Sequence, residues 1–348
     1  MVSISNLVTT HRPDLDPLQD FYKRCLAYPE LSNQEASTAT AIADHLVVLF
    51  SDFNINTSVL LCTDMETLPR MQDAEGVEKP VMHTGGHDMQ IVCLLGAAEI
   101  LLDARDSWSG TPISILKPGG GKWEGSTGHV LGVHVMPFQA GSIGTRRGLF
   151  ATSADSMKVT LHGRIAHAAM PERSIDPVIM RRAQWELQTI MVRETDPAGE
   201  AVLKVAIFYA GDAQNVIGDL GGRGSIRDPS HKGRGTDLGE DCGYFTGREC
   251  GSYGVKGDNI LEHEELPVDD NDDTISARLE ETFAKHFGKG NGYYGGEAIC
   301  FFMYAGKEEV WDWAQRHVQC NHLALFAPGI MPTLRIGIDG YAAAALTL

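Results

Sequence analysis

One stretch constrains this chain more than any other: VMHTGGHDMQI, residues 81–91, which leads into an apolar run ending at Leu102. His83 and His87 stand four residues apart with Gly85 and Gly86 between them, and Asp88 follows directly. A glycine pair at the mouth of a helix lets backbone and side chains crowd a shared point, such as a metal or a substrate. On spacing alone the same residues also describe a surface turn with two solvated histidines, because imidazole needs no metal partner.

Length and composition bound what surrounds that stretch. A chain of 348 residues exceeds one small core, and a prior of ~150 residues per domain suggests two. Hydrophobic residues at 43% and charged residues at 22% are those of a globular protein. The formal net charge of −17 opposes a nucleic-acid backbone and an anionic membrane surface, so neither partner is expected. No basic segment with a following apolar block opens the sequence, and no run reaches the ~20 apolar residues of a membrane span. A cytoplasmic protein is expected. Seven scattered cysteines without a C-x-x-C pair fit reduced thiols.

Read in order, residues 16–50 predict two helices, the second with a capping box at Ser32 and Glu35. Ser58–Cys62 reads as a short buried strand, leaving Asp64 and Glu66 at its C-terminal end, where open α/β sheets keep their chemistry. A helix over IVCLLGAAEILLDAR, a strand over TPISILKP, a glycine-rich loop over GGGKWEGSTGH and a strand over VLGVHVMP follow. The loop fits no phosphate-binding fingerprint. His134 is the polar member of the last strand, and a core histidine is the alternative to a functional one.

From about Gly148 the texture turns to alternation: SMKVTLHG, AVLKVAIFYAG and GSIR read as antiparallel strands, with a helix over DPVIMRRAQWELQTIMVRE. The acidic run EHEELPVDDNDD reads as a solvated face or hinge. Beyond it come a helix (TISARLEETFAKHFG), a buried strand (AICFFMYAG), a helix (KEEVWDWAQRHV) and a final helix over PTLRIGIDGYAAAALTL. The fold class expected is α/β, with a catalytic α/β domain formed by 1–147 plus 264–348 and an inserted smaller α+β lid or dimerisation domain over 148–263.

The ordered set LAYPELSNQEA, TDMETLP, VMHTGGHDMQ, LKPGGG, GVHVMP, HGRIAHAAMPERSIDP, AGDAQNVI, IRDP and HLALFAP resembles the dinuclear metal amidohydrolases of the hippurate hydrolase, aminoacylase and auxin-conjugate hydrolase family. The resemblance runs over nearly the whole chain. It implies a catalytic α/β domain, an inserted lid that dimerises, and hydrolysis of amino-acid amides with zinc or manganese.

Carried across by position, the resemblance is partly kept. The family's His-x-Cys-Gly-His-Asp-x-His is here His83, Thr84, Gly85, Gly86, His87, Asp88, Met89 and Gln90, so the metal-bridging cysteine is a glycine and the last histidine a glutamine. The family's Gln-Pro-Ala-Glu-Glu, which supplies the general base and a carboxylate ligand, is here Lys117, Pro118, Gly119, Gly120 and Gly121. The resemblance retains His87, His134 and His322 as ligand-type residues. It gives His167, Asn215 and Arg227 of the lid the roles of polarising a carbonyl across the dimer and holding a carboxylate. Asp88 joins the histidines as a catalytic candidate, and Glu66 joins Asn215 and Arg227 as a substrate-binding one.

The chemistry of the missing groups can be argued from charge. Two divalent ions ~3.5–4 Å apart need a bridging anion and negative ligands to offset their repulsion, and three neutral imidazoles supply neither. None or one weakly bound divalent ion, zinc or manganese, is expected at His87, His134 and His322. General base catalysis is typically worth ~10²–10⁴ in rate, and Glu124 is a carboxylate that could swing in as a substitute. The expected function is an amidohydrolase-like enzyme on a small amide- or amino-acid-derived metabolite, repurposed to largely metal-independent histidine acid/base chemistry, such as condensation or rearrangement in secondary metabolism. Two alternatives stand beside it: a metal-dependent N-acyl-amino-acid amidohydrolase with an atypical ligand set, and a catalytically inactive binding or assembly partner. A homodimer and a small-molecule substrate are the expected partners.

Overall fold

The computed structural model describes residues 2–31, 34–49, 58–65, 67–72, 78–83, 85–117, 129–151, 154–159, 161–176, 261–266, 269–288, 292–294, 301–307 and 327–348, with short pieces between 188 and 228. Backbone contacts divide the chain into two compact units, Met1–Phe150 with Asp270–Leu348, and Ala151–Asp269. Among the described residues no helix is long and apolar enough to cross a membrane.

The first unit begins with α1 (Ile4–Thr10), a short helix the apolar pattern does not announce; its start is fixed by Ser3, whose hydroxyl accepts from the Asn6 N–H at 3.2 Å. In α2 (Asp16–Ala27) Leu18, Tyr22 and Cys25 recur at helical spacing and are buried together. α3 (Ala36–Leu49) is capped differently from the sequence expectation. The Ser37 and Thr38 N–H groups donate to the two carboxylate oxygens of Glu30, at 3.0 and 2.6 Å. A carboxylate at a helix N-terminus satisfies orphan donors and complements the helix dipole. Ser32, half of the expected box, lies outside the described residues.

Strands β1 (Ser58–Asp64), β2 (Leu68–Gln72) and β3 (Glu78–Met82) precede helix α4 (His87–Asp103). β2 and β3 pair as an antiparallel hairpin in register Leu68 to Met82, an element the sequence reading missed. After α4 come β4 (Thr111–Lys117), β5 (His129–Gln139), β6 (Ile143–Thr145) and β7 (Gly148–Ala151). Strand β1 extends two residues past the expected end at Cys62, so Asp64 belongs to the strand. The reason lies in the register: Asp64 faces Lys117 across the parallel ladder, and their side chains form an ion pair at 2.9 Å.

In the second unit, β8 (Ala154–Val159), β9 (Leu161–His162), β10 (Ala166–His167), β11 (Val216–Ile217), β12 (Leu220–Gly221), β13 (Ser225–Asp228) and β14 (Leu261–Leu266) are antiparallel. β8 lies between β13 and β14. Most of the expected strand over AVLKVAIFYAG and most of the expected helix over DPVIMRRAQWELQTIMVRE fall outside the described residues; Leu203 and Lys204, the described part of the former, are in no strand.

The chain then adds β15 (Asp269–Asn271), α5 (Asp273–Phe287), β16 (Gly292–Tyr294), β17 (Phe301–Lys307) and α6 (Ile330–Thr347). The main sheet has six strands in the order β16-β6-β17-β5-β1-β4, with β4, β1, β5 and β17 parallel to one another, β6 antiparallel to β17 and β16 parallel to β6. The expected helix over KEEVWDWAQRHV lies outside the described residues.

Helix α4 is the centre of this unit. Residues Ile91 to Leu95 are all fully buried, and it packs on α6, α2, α3, β1 and β5. A helix that is apolar on every side must be covered on every side. Each fully buried Leu or Ile is worth about 1.5–3 kcal/mol of transfer free energy. Contact with α2 and α6 is close enough that a Cβ at Gly96 would stand 2.6 Å from Ile338 Cδ1 and 2.9 Å from Leu18 Cδ1. The core therefore fixes α4 against the sheet, and with it whatever the head of α4 carries.

Candidate functional site

The head of α4 is built by Gly86, whose φ of 78° lies in the left-handed region that glycine adopts without steric cost. That turn brings His87 and Asp88 into the first helical turn, both buried. A second tie comes from β1: the Thr63 hydroxyl donates to Gln90 Oε1 at 3.0 Å. Gln90, which replaces the last histidine of the family pattern, thus fastens the helix to the sheet.

His134 arrives from β5. Leu131, Val133 and Val135 of that strand are buried at alternate positions, leaving His134 on the other face and half-buried. Its Nδ1 lies 2.7 Å from the Val135 carbonyl oxygen. A carbonyl only accepts, so in neutral imidazole Nδ1 carries the proton and Nε2 is the basic nitrogen. The rings of His87 and His134 meet edge to face with centroids 5.5 Å apart. The sequence thus placed together two residues that are 47 positions apart, and the fold sets them at the crossing of α4 and β5.

Position 85 decides how the pair is used. A Cβ built on Gly85 would lie 2.8 Å from both Cε1 and Nε2 of His87, so the imidazole occupies the space a cysteine side chain would take. The Asp64–Lys117 ion pair sits at the C-terminal ends of β1 and β4, and the β1–β5 ladder stops at Cys62 and Gly132, two residues short of Asp64 and His134. Carboxyl ends of adjacent parallel strands are where open α/β sheets place ligands.

Two further groups at this site carry perturbed acidity. Burial holds the Asp88 carboxyl up at about 7, although its Oδ1 accepts from the Met89 N–H at 2.9 Å. Its Oδ2 has no hydrogen-bond partner among the described residues. Burial, aided by nearby His87, pushes the His83 imidazole down to about 4, and neither of its ring nitrogens has a partner among the described residues. His83 was not among the expected site residues. Its signal was its place in the His-Gly-Gly-His stretch, four residues before His87.

The remaining expected residues are placed as follows. His167 is exposed in β10 of the second unit, where its Nδ1 accepts from the Ala169 N–H at 3.0 Å. Arg227 lies in β13, with its backbone in register with Ser156 of β8. Glu66, Asn215 and His322 lie outside the described residues, as do Gly119, Gly120, Gly121 and Glu124. Among the described residues no group of three or more metal-type donors converges.

No protein-family model matches the chain. It is 33% identical over 178 residues to IAA-amino acid hydrolase ILR1-like 5 of Arabidopsis thaliana, covering 46% of this chain and 41% of that protein. It is 30% identical over 237 residues to the N-acyl-L-amino acid amidohydrolase of Geobacillus stearothermophilus, covering 58% and 64%. The chain spans about half the length of the curated relatives it matches. Among solved structures, a dinuclear metal-binding peptidase of the M20 family from Bacillus subtilis superposes with a TM-score of 0.61 at 18% identity, covering 98% of both chains. An amidase of the hydantoinase/carbamoylase family from Burkholderia vietnamiensis superposes with a TM-score of 0.65 at 13% identity, covering 97% of this chain and 98% of that one. The chain therefore has the α/β fold of the M20-type peptidases and is related in sequence to the IAA-amino acid hydrolases and N-acyl-amino-acid amidohydrolases.

Proposed function

We propose that this chain is an amidohydrolase-like enzyme acting on N-acyl amino acids or closely related small amides, and that its chemistry is centred on His87 and His134. The observation that carries the reading is the contact of those two imidazoles at the head of a buried helix, beside Gly85, the position where the motif this stretch resembles has a cysteine. The relatedness to the hydrolases named above supports the substrate class.

The donor set does not fit a pair of divalent ions. Glycine at 85, 120 and 121 offers no side-chain ligand, and the 2.8 Å approach at Gly85 leaves His87 where a bridging thiolate would stand. A single zinc or manganese ion on His87, His134 and His322 is the most this reading allows. The acid/base work falls to the histidines themselves. With Nδ1 of His134 donating to a carbonyl, Nε2 is the basic nitrogen, the one that would take a proton from water or an amine and return it to a leaving group. With water excluded, the same pair would serve condensation or rearrangement, and Asn215 and Arg227 keep the substrate-binding role that the family resemblance implies for them.

The same reading assigns residues 148–263 to a lid that also forms a homodimer, with His167 reaching the partner's site, in a cytoplasmic protein. Light scattering at micromolar concentration should give twice the chain mass.

The test is elemental analysis after dialysis, combined with turnover of an N-acetyl- and N-benzoyl-amino-acid panel with and without chelator. Turnover with no more than one ion per chain is expected. Two ions per chain would overturn the reading of the site, and an inert protein across the panel would overturn the assigned activity.

A further inference from the structure

A second cleft lies in the first unit, and no residue of the candidate site lines it. It encloses ≈ 390 Å³ between α1, the turn after β5, the end of α5 and the first turns of α6. That volume lies within the range of small-molecule pockets.

Its floor is a continuous chain of hydrogen bonds. Arg12 Nε and Nη2 donate to Asp339 Oδ1 and Oδ2, each at 2.7 Å. His286 Nε2 lies 3.2 Å from Asp339 Oδ2, and His286 Nδ1 lies 2.9 Å from Ser5 Oγ. A carboxylate can only accept, so Nε2 carries the proton in the neutral ring, Nδ1 accepts, and the Ser5 hydroxyl donates to it. Asp339 and the His286 side chain are 4% and 6% exposed, so the floor is rigid before any ligand arrives. The order serine, histidine, aspartate is that of an activated nucleophile. Here, however, the fork of Arg12 holds both oxygens of Asp339, which leaves the carboxylate little charge to stabilise an imidazolium. The arrangement is better suited to shaping a site than to driving acyl transfer.

The walls define what would fit. Arg12 and Asp339 cancel in charge, while Arg335 at the rim is exposed and has no acidic partner among the described residues. The cleft is thus locally cationic on a chain whose formal net charge is −17. In this mostly polar lining, Phe287 and Ile336 contribute a small apolar patch. A guanidinium matches the planar geometry of a carboxylate. We propose that this cleft binds a small organic carboxylate, with its anion at Arg335 and its apolar body against Phe287 and Ile336. The inference stands apart from the amidohydrolase reading and would survive that reading's failure.

Titration calorimetry of the full chain with sodium benzoate tests it, with benzamide as the neutral isostere and inorganic phosphate as an anion lacking an apolar body. Saturable benzoate binding is expected, weakened at least about tenfold for benzamide and for phosphate, and at least about tenfold by Arg335→Gln. His134→Ala should bind benzoate as the wild type does, which separates this cleft from the candidate active site. Arg335 is exposed, so the variant should keep the wild-type melting temperature, which is measured alongside. Absent benzoate binding, equal affinity for benzamide or phosphate, an indifferent Arg335→Gln, or loss of binding in His134→Ala would each overturn the proposal.

Discussion

The head of α4 and the floor of the Arg12 cleft are two buried polar clusters in the same unit, and they treat their polar atoms in opposite ways. In the cleft floor, Arg12, Asp339, His286 and Ser5 pass hydrogen bonds from one to the next. At the head of α4, both ring nitrogens of His83, Oδ2 of Asp88 and Nε2 of Gln90 are buried without a hydrogen-bond partner among the described residues. A buried polar atom left unpaired costs about 1–3 kcal/mol. The first cluster ties α1, α5 and α6 together. The second is held in place by others, through the apolar body of α4 and the Thr63–Gln90 bond, and adds little stability of its own. Polar groups kept buried at a cost are those that a ligand or a reaction uses.

The largest expected effect breaks the satisfied cluster. Asp339→Ala removes the acceptor of two Arg12 bonds and one from His286, leaving a guanidinium partly buried without its counter-charge. A loss of about 3 kcal/mol in urea unfolding is expected, at pH 8 as at pH 5. A change under ~1 kcal/mol would mean the floor is no tie at all.

The unsatisfied cluster should answer to pH instead. Asp88 has a folded pKa of about 7 against an ordinary 3.8. A raised acid favours folding while protonated, so its contribution is whole below pH ~4 and is lost as the pH climbs to about 7. Asp88→Asn should therefore be more stable than wild type at pH 8, by about 2–4 kcal/mol, and indistinguishable from it near pH 4. His83 runs the other way: with a folded pKa of about 4 against 6.5, its contribution is whole above pH 6.5 and is lost as the pH falls toward 4. His83→Leu should flatten that acid limb by about 2–3 kcal/mol. Unfolding curves from pH 4 to 8 for both variants check the pair, and unchanged pH profiles would remove the contrast between the clusters.

A smaller effect is expected at Gly85. An added methyl would meet the His87 ring at 2.8 Å, so Gly85→Ala should cost about 1–3 kcal/mol or turn the imidazole aside. The His87 ring resonances, read by NMR with and without the substitution, distinguish these outcomes from a harmless change.

Much of the frame could be read in the sequence because its elements carry their own signals. The apolar run beyond Ile91 lies in α4, the amphipathic stretch from Thr274 in α5, and the Ala-rich end in α6. Elements defined by pairing alone were not legible. α1 has seven residues and β6 has three, and the β2–β3 hairpin shows no two-residue turn signal. The same division runs through the sites. His87 and His134 were found because each sits in a recognisable stretch. Ser5, Arg12, His286 and Asp339 were not, because they come from three distant segments with no motif and meet only when the helices pack.

Hydrolysis of an N-acyl-amino-acid panel by wild type and by His134→Ala, assayed side by side, tests the central claim most directly. A loss of at least about 100-fold in kcat/KM, with an unchanged melting temperature, is the expected result. Equal turnover by the two proteins would contradict a centre built on His87 and His134.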